Sequence, residues 1–219
     1  MPVITVSRQF GSGGSDVAAR VAGALGWRLV DNEMVDGIAR RLGTTPAAVE
    51  AIDERSPSLA ERIADTFAFG SGEIVSASLH GPLPPTEDRV LDVTRRVIED
   101  AVARGPVVLV GRGAQASLAT RTDALHVFCC APQAALVERV MMREGLSADE
   151  ATRRVHDKNR QRAEFVKRSF GRDWLSPAHY HLSVNTAALG IEGAAELVVH
   201  LARQRFATVL ADQSERTSG

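Results

Sequence analysis

Short apolar runs alternate along the chain with segments in which apolar residues recur every three or four positions. The runs are typical of buried strands, and the periodic segments are typical of amphipathic helices. The predicted strands lie at 3–6, 27–30, 107–110, 126–130 and 180–184. The predicted helices lie at 16–25, 33–42, 88–103, 147–168 and 191–206, with another that Pro132 opens. Strands that alternate with helices indicate an α/β fold with a parallel sheet covered on both faces.

Chemically capable residues directly follow three of the predicted strands. A glycine-rich turn follows the first strand, Asp31 follows the second, and the sequence Gly111-Arg112-Gly113 follows the third strand at 107–110. Ligands of open parallel sheets bind outside the carboxyl ends of the strands. The sequence therefore predicts that these residues lie along one rim and form a site together.

The turn after the first strand has the layout of a phosphate-binding loop. Its residues are Gly11, Ser12, Gly13, Gly14 and Ser15. Backbone N–H groups of such a loop and the positive end of the following helix converge on an anion. The usual signature is G-x-x-x-x-G-K-[ST]. Here Gly13 takes the second glycine and Ser15 the hydroxyl, whereas Gly14 stands at the lysine and Arg8 at the first glycine.

Each residue of this loop also has a plainer interpretation. The glycines are compatible with an ordinary strand-to-helix turn, and Ser15 with a first-turn helix cap instead of a Mg²⁺ ligand. Arg8 and Arg20 are the nearby cations that could replace the lysine charge. Arg8 could equally be a solvated residue at a strand end.

Two further positions on the predicted rim suit phosphate chemistry. Arg112 stands between two glycines, which permit tight turning, and an arginine can hold a phosphate through two parallel hydrogen bonds. The alternative is an exposed loop arginine. Asp31 could orient a substrate hydroxyl or help to hold Mg²⁺, or it could cap the following helix.

The segment 139–172 is densely charged, with basic residues in clear excess. One interpretation is a solvated helix with ion pairs between adjacent turns. A second is a mobile lid whose arginines close over a transferring phosphoryl group. Nucleic-acid binding is a third, and the acidic residues and scarcity of aromatic residues in the segment argue against it.

Composition sets limits on the class of protein. The chain has 219 residues, is 44% hydrophobic and has a net charge of −1, which suits one domain with no bulk attraction for nucleic acid or anionic membrane. No apolar run approaches a membrane span, and the first strand begins too early for a signal peptide. The two cysteines, Cys129 and Cys130, are expected as buried free thiols, and the histidines are not at metal-ligand spacing. A cytoplasmic location is therefore expected.

The motifs together resemble the cytidylate kinase-like branch of the P-loop nucleoside monophosphate kinases. The resemblance rests on SRQFGSGGS, GWRLVDNEMV, VVLVGRGA, DKNRQR and YHLSVNTAALGIEGAAELV, in an order that spans residues 4–201. This chain departs from the true cytidylate kinases at Gly14, where they have lysine, and at Gly113, where they have an acidic residue. It also departs from them at Asn32 and Glu33. Asn159 replaces an acid of their lid, and Asn185 stands where they often have aspartate.

This resemblance implies a three-layer P-loop fold with a five-stranded parallel sheet in one domain, residues 1–206, followed by a flexible tail at 207–219. An acceptor-binding subdomain is expected at about 35–90 and a helical lid at about 139–172. The implied partners are nucleotide substrates, with neither nucleic acid nor membrane, and a homodimer is left open.

The implied activity is transfer of the ATP γ-phosphate to a nucleoside monophosphate, CMP or dCMP, with Mg²⁺. The loop residues Arg8, Gly11, Ser12, Gly13, Gly14 and Ser15 would bind ATP, with Ser15 on the metal, and Asp31 and Arg112 would bind the acceptor. The catalytic cations would be Arg112, Arg139, Arg153, Arg160 and Arg162. Two alternatives stay open: a kinase of another small molecule, since one fold hosts many functions, or a catalytically weak nucleotide-binding regulator, which the missing lysine favours.

Overall fold

A computed structural model of the chain describes residues 1–31, 38–39, 41–43 and 87–207. The strands of the sheet are β1 (Val3–Arg8), β2 (Arg28–Val30), β3 (Val107–Val110), β4 (Ala124–Cys130) and β5 (Leu182–Asn185). The helices referred to below are α1 (Gly14–Leu25), α2 (Glu87–Ala103), α3 (Ala114–Ser117), α4 (Gln133–Glu144), α5 (Ala148–Phe170) and α6 (Thr186–Arg205), with a 3-10 turn at Pro177–His179.

The five strands form one parallel sheet in the order β2-β3-β1-β4-β5. β1 is central, with Val6 in register with Val110 of β3 and Arg8 in register with Cys129 of β4. The predicted α/β fold with a five-stranded parallel sheet is therefore confirmed. Because all strands point the same way, the residues that follow β1, β2 and β3 emerge at the same edge of the sheet.

Apolar side chains of the central strands enter cores on both faces of the sheet. Ile4 and Val6 pack with α1 and α6 on one face, whereas Val3 packs with residues of α2 and α3 on the other. This is the pattern expected of a parallel sheet with helices on both faces, in which the strands are nearly continuous in apolar residues. The chain thus forms three layers, and the sheet holds the loops at its carboxyl edge in fixed relation.

Several element boundaries differ from the sequence prediction: β1 ends at Arg8 and not at 6, α1 begins at Gly14 and not at 16, and β4 begins at Ala124 and not at 126. β5 begins at Leu182 and not at 180, because Pro177–His179 forms a 3-10 turn that ends at Tyr180. α6 begins at Thr186 and not at 191, because the Asn185 side chain accepts hydrogen bonds from the N–H groups of Ala187 and Ala188. Gly190 interrupts the helix with φ 71 and ψ 171, so the predicted start corresponds to the residue after this kink.

Both cysteines are free thiols, as predicted, but their environments differ. Cys129 is fully buried, and burial raises the pKa of its thiol to about 12. Cys130 is half-buried. Among the helices that the structure describes, none has the length and apolar character that spanning a membrane would require. The predicted subdomain at 35–90 and the tail at 207–219 lie almost entirely outside the described residues.

Candidate active site at the carboxyl edge of the sheet

A cavity of about 320 Å³ lies at the carboxyl ends of β1, β2 and β3, beneath α5. Cations, acids and aromatic rings all contribute to its wall. The charged side chains that line it are Arg8, Asp31, Arg112, Glu144, Arg154, Lys158 and Arg162. The aromatic side chains are Phe10, Phe165 and Trp174. Five cations against two carboxylates give this cavity an excess of positive charge, which favours an anionic ligand.

Arg8, the last residue of β1, extends its side chain across the edge of the sheet. Its Nη2 lies 3.5 Å from Oδ1 of Asp31, which follows β2, and both side chains are about one-fifth exposed. The partial burial of this ion pair makes it less screened than a surface pair. Asp31 thus holds the Arg8 guanidinium over the cavity through this ion pair.

Arg112 occupies a strained turn directly after β3. The φ angles of Gly111, Arg112 and Gly113 are 71°, 52° and 66°, three successive residues in the left-handed region. Such a conformation costs a residue with a side chain about 1–2 kcal/mol. Among the described residues, Arg112 is the one non-glycine residue with positive φ. Strain of this kind is typical of residues placed for function.

Arg162 of α5 completes a cluster of three guanidinium groups. Its Nη1 donates a 2.8 Å hydrogen bond to the backbone oxygen of Arg8. Burial and the adjacent cations Arg8 and Arg112 lower the pKa of Arg162 to about 9, against a partial opposing effect of Asp31. The side chain remains charged near pH 7, so the three cations repel one another, and a bound anion would relieve that repulsion.

The glycine loop lies next to this cavity and is held closely by the protein. Gly11, Ser12 and Gly14 are buried. A Cβ on Gly13 (φ +73) would lie 2.3 Å from Cδ1 of Ile191, and one on Gly11 (φ +85) would lie 2.6 Å from the oxygen of Leu136. Gly11 is therefore required by the close approach of the α4 backbone, whereas at Gly13 the constraint is the positive φ, because Cδ1 of Ile191 is the end of a flexible side chain. The first-turn N–H groups of α1 have no acceptor within the helix, as at any helix start.

Arg139 holds the glycine loop in place through hydrogen bonds to Ser12 and Thr186. Its Nη1 donates to the backbone oxygen of Ser12 at 3.1 Å and to Oγ1 of Thr186 at 2.9 Å, and its Nη2 donates to the Thr186 oxygen at 2.9 Å. Thr186, which is fully buried, also donates to the Ser12 oxygen at 2.6 Å. Arg139 thus joins α4, the glycine loop and the start of α6, and in this arrangement it shapes the loop.

The structure separates the other expected lid arginines from the cavity. Arg153 and Arg160 lie on the exposed side of α5, and Arg160 forms an ion pair with Asp157 one turn away. A straight helix turns by about 100° per residue, so both side chains point roughly opposite to Arg162. One rigid helix cannot direct all three into one cavity, and Arg162 is the one that faces it.

Sequence reasoning assigned no role to two residues that hold Phe10, a residue of the cavity wall, in place. Asn159 accepts a 2.7 Å hydrogen bond from the backbone N–H of Phe10. Arg143 stacks over the Phe10 ring at 4.8 Å from its centroid. The helical face that carries Asn159 and Arg162 also carries the buried residues Val155 and Val166. Val155, Arg162 and Val166 are seven and then four positions apart, a spacing that places residues on one face of a helix. This spacing was the signal in the sequence that Arg162, and not Arg160, faces inward.

Similarity to known proteins agrees with this architecture. The chain is 25% identical over 198 residues, 90% of its length and 97% of its relative's, to a protein named cytidylate kinase from Ignicoccus hospitalis. An uncharacterized protein from Eubacterium ventriosum has a similar crystal structure, with a TM-score of 0.66, 16% identity and coverage of 92% of this chain and 98% of that one. A shikimate kinase from Bacteroides thetaiotaomicron shares the fold at a TM-score of 0.50 and 15% identity, over 91% of this chain and 97% of that one.

A family model covers most of the described structure. It matches residues 3–188, which include β1, the glycine loop, the 111–113 turn, all of α5 and β5. The match therefore takes in every side chain of the arginine cluster and both sides of the cavity. On this basis the chain belongs to the cytidylate kinase-like family.

Proposed function

We propose that the protein is a phosphotransferase that moves the γ-phosphoryl group of ATP to a nucleoside monophosphate, CMP or dCMP. The observation that carries the proposal is the convergence of Arg8, Arg112 and Arg162 on one cavity beside a glycine loop. The family and the relative named cytidylate kinase support the choice of acceptor.

The proposed transfer needs charge neutralisation and positioning more than covalent help from the protein. An oxygen of the acceptor phosphate forms a bond to the γ-phosphorus, and the bond from that phosphorus to the β–γ bridging oxygen breaks. The electron pair leaves on ADP, and no proton moves when the acceptor phosphate is a dianion. Arg112 and Arg162 would hold the acceptor phosphate and stabilise the charge on the transferring group.

The donor would bind at the glycine loop. The amides at 14–16 begin α1, where the helix itself leaves N–H groups for an anion. Ser15 is half-buried as the second residue of α1, and its hydroxyl is of the oxygen type that Mg²⁺ prefers. Ser15 would hold the metal, which supplies neutralisation of the β- and γ-phosphate charge when bound.

The proposal is tested by release of ADP in a coupled assay with CMP, dCMP, UMP, AMP and shikimate as acceptors, with the phosphorylated product identified by ³¹P NMR. We expect turnover with CMP or dCMP and its loss in Arg112→Ala. Arg160→Ala, which changes an exposed arginine of α5, is the matched control and should retain activity. Turnover with shikimate alone would support a kinase of another small molecule. Binding of ATP without turnover of any acceptor would overturn the kinase proposal in favour of a regulatory nucleotide-binding protein.

A further inference from the structure

The side chain of Arg8 occupies the space that a side chain at position 14 would need. A Cβ added to Gly14 would lie 2.4 Å from Cβ of Arg8 and 3.1 Å from Cβ of Cys129. Real Cβ atoms do not approach one another to 2.4 Å, and Cβ of Arg8 is not the far end of a flexible chain, whereas the 3.1 Å contact with Cys129 is tight but needs only a small shift. A side chain at position 14 therefore requires a shift of Arg8.

The guanidinium of Arg8 lies further along the same edge of the sheet. A Cβ added to Gly111 would lie 1.8 Å from Nη1 of Arg8 and 2.9 Å from its Cζ. The other nitrogen, Nη2, is the one that faces Asp31. Glycine at 14 makes room for the stem of Arg8, and glycine at 111 makes room for its charged end. The backbone of Arg8 is fixed in turn by the hydrogen bond from Arg162.

We propose that Arg8 and Gly14 exchange the two roles that the P-loop signature gives to its first glycine and its lysine: Arg8 supplies the cation for the γ-phosphate of the donor, and Gly14 supplies the space. The inference rests on the proposed function and adds a specific donor contact to it. A guanidinium held by a carboxylate is planar and oriented, and it can donate to two phosphate oxygens together, whereas a lysine is a flexible point charge. Arg8 precedes the glycine loop by three positions, and it lines the same cavity as Arg112, so it belongs both to the proposed donor site and to the proposed acceptor site.

Arg20, the other cation near the loop in sequence, does not have this placement. Its Nη1 donates to Oε1 of Glu192 at 2.6 Å, and half of its side chain is exposed. It belongs to the outer surface formed by α1 and α6. Arg20→Gln is therefore a matched control for a change of arginine charge close to the loop.

The first experiment measures binding and needs no turnover. Isothermal titration compares ADP with the β,γ-imido analogue of ATP, both with Mg²⁺, in the parent, Arg8→Gln and Arg20→Gln. The inference predicts that Arg8→Gln lowers the preference for the triphosphate over the diphosphate at least tenfold, whereas Arg20→Gln leaves that preference unchanged. An unchanged preference in folded Arg8→Gln would overturn the donor contact and leave the proposed kinase activity untouched.

The second experiment exchanges the residues. Arg8→Gly, Gly14→Lys and the double variant Arg8→Gly/Gly14→Lys are compared for urea unfolding and for turnover. Arg8→Gly should lower kcat/KM by about 10²-fold or more, the scale for loss of one charge-stabilising donor. Gly14→Lys should also lower kcat/KM, because its side chain overlaps that of Arg8 and displaces it. The double variant restores the usual signature and should recover to within about tenfold of the parent. Gly14→Lys alone should also be less stable than the double variant, because only the latter removes the 2.4 Å overlap with Cβ of Arg8.

The outcomes separate the two claims. A folded double variant that stays inactive beside an active parent would overturn the exchange of roles but not the kinase. A parent that turns over no acceptor would overturn the proposed function, and the binding comparison would then still decide whether Arg8 contacts the third phosphate. Equal stability of Gly14→Lys and the parent would contradict the packing on which the inference depends.

Discussion

The backbone N–H of Phe10 donates a hydrogen bond of 2.7 Å to Oδ1 of Asn159, which joins the glycine loop to α5 across 149 positions of the chain. The bond from Arg162 to the oxygen of Arg8 lies close to it. The ring of Phe10 packs among residues of α4 and α5, so the hairpin of these helices is attached to the loop by both polar and apolar contacts. Opening of the hairpin would break all of them together.

We expect Asn159→Ala to lower the free energy of unfolding by about 1 kcal/mol, the usual net value of one hydrogen bond. Hydrogen exchange of the Phe10 amide should become faster, because its acceptor is removed. Asn159→Asp keeps an acceptor oxygen at the same place and should retain the protection. The measurement is amide exchange by NMR, and equal protection of Phe10 in Asn159→Ala and the parent would show that another group accepts this bond.

Replacement of Arg112 should separate stability from ligand binding. Both Arg112→Gly and Arg112→Ala remove the guanidinium, so both should weaken CMP binding at least tenfold in titration calorimetry. Alanine retains the strain of φ 52°, whereas glycine does not. We therefore expect Arg112→Gly to be more stable than Arg112→Ala by about 1 kcal/mol in urea unfolding. The reverse order would show that the turn relaxes once the arginine is absent.

Arg162 and Arg160 provide a comparison of two arginines on one helix. Arg162→Ala should weaken binding of pyrophosphate more than tenfold, since hydrogen bonds to charged groups contribute about 1.5–3 kcal/mol. The free energy of unfolding of the unliganded protein should fall by less than the free energy of pyrophosphate binding does, because removal of Arg162 also relieves its repulsion by Arg8 and Arg112. Arg160→Ala changes an exposed side chain and should alter stability by less than about 0.5 kcal/mol. Thermal unfolding with and without pyrophosphate measures both effects.

A buried histidine predicts loss of stability in mild acid. His126 is 3% exposed, and its Nδ1 lies 2.8 Å from Oγ1 of Thr5. Burial, and then the adjacent His181, lower the pKa of His126 from 6.5 to about 4. The unfolded chain therefore binds a proton at a higher pH than the folded chain, and the free energy of unfolding decreases as the pH falls from 6.5 towards 4.

The expected loss is at most about 1.4 kcal/mol for each pH unit in that interval. His126→Asn should reduce this dependence, whereas His200→Asn, which changes an exposed histidine of α6, should not. Urea unfolding at several values between pH 7 and pH 4 gives the comparison. A pH profile that is the same in the parent and in His126→Asn would assign the acid sensitivity to other groups.

The central strands could be predicted from sequence because they are buried on both faces. The run Val107–Val110 is fully apolar, and β1 and β4 are mostly apolar, with Thr5 and His126 as buried polar exceptions, so tertiary packing and local pattern largely agree. The starts of β5 and α6 could not be predicted in the same way. They depend on the cap formed by Asn185 and on the kink at Gly190, which are local hydrogen bonding and backbone conformation without a hydrophobic period.

The position of the candidate site could be predicted from the sequence, whereas the contacts within it could not. Parallel topology is sufficient to bring Arg8, Asp31 and Arg112 to one edge of the sheet, since each follows a strand. The role of Arg139 could not be predicted, because its partners Ser12 and Thr186 come together only in the folded chain. The glycine at position 14 likewise could not be explained from the sequence, because its close contact with Arg8 forms only in the folded chain.

The turn after β3 restricts how this protein could acquire a different acceptor. A Cβ on Gly111 would overlap the Arg8 guanidinium, and a Cβ on Gly113 would lie 2.4 Å from Cε2 of Phe170, so a side chain at either position would displace Arg8 or Phe170. In the proposed function the middle position of the turn, Arg112, binds the phosphate of the acceptor and does not distinguish one base or sugar from another. A new acceptor preference would therefore arise from substitutions elsewhere in the cavity lining, such as at Phe165 and Trp174, while residues 111–113 stayed unchanged.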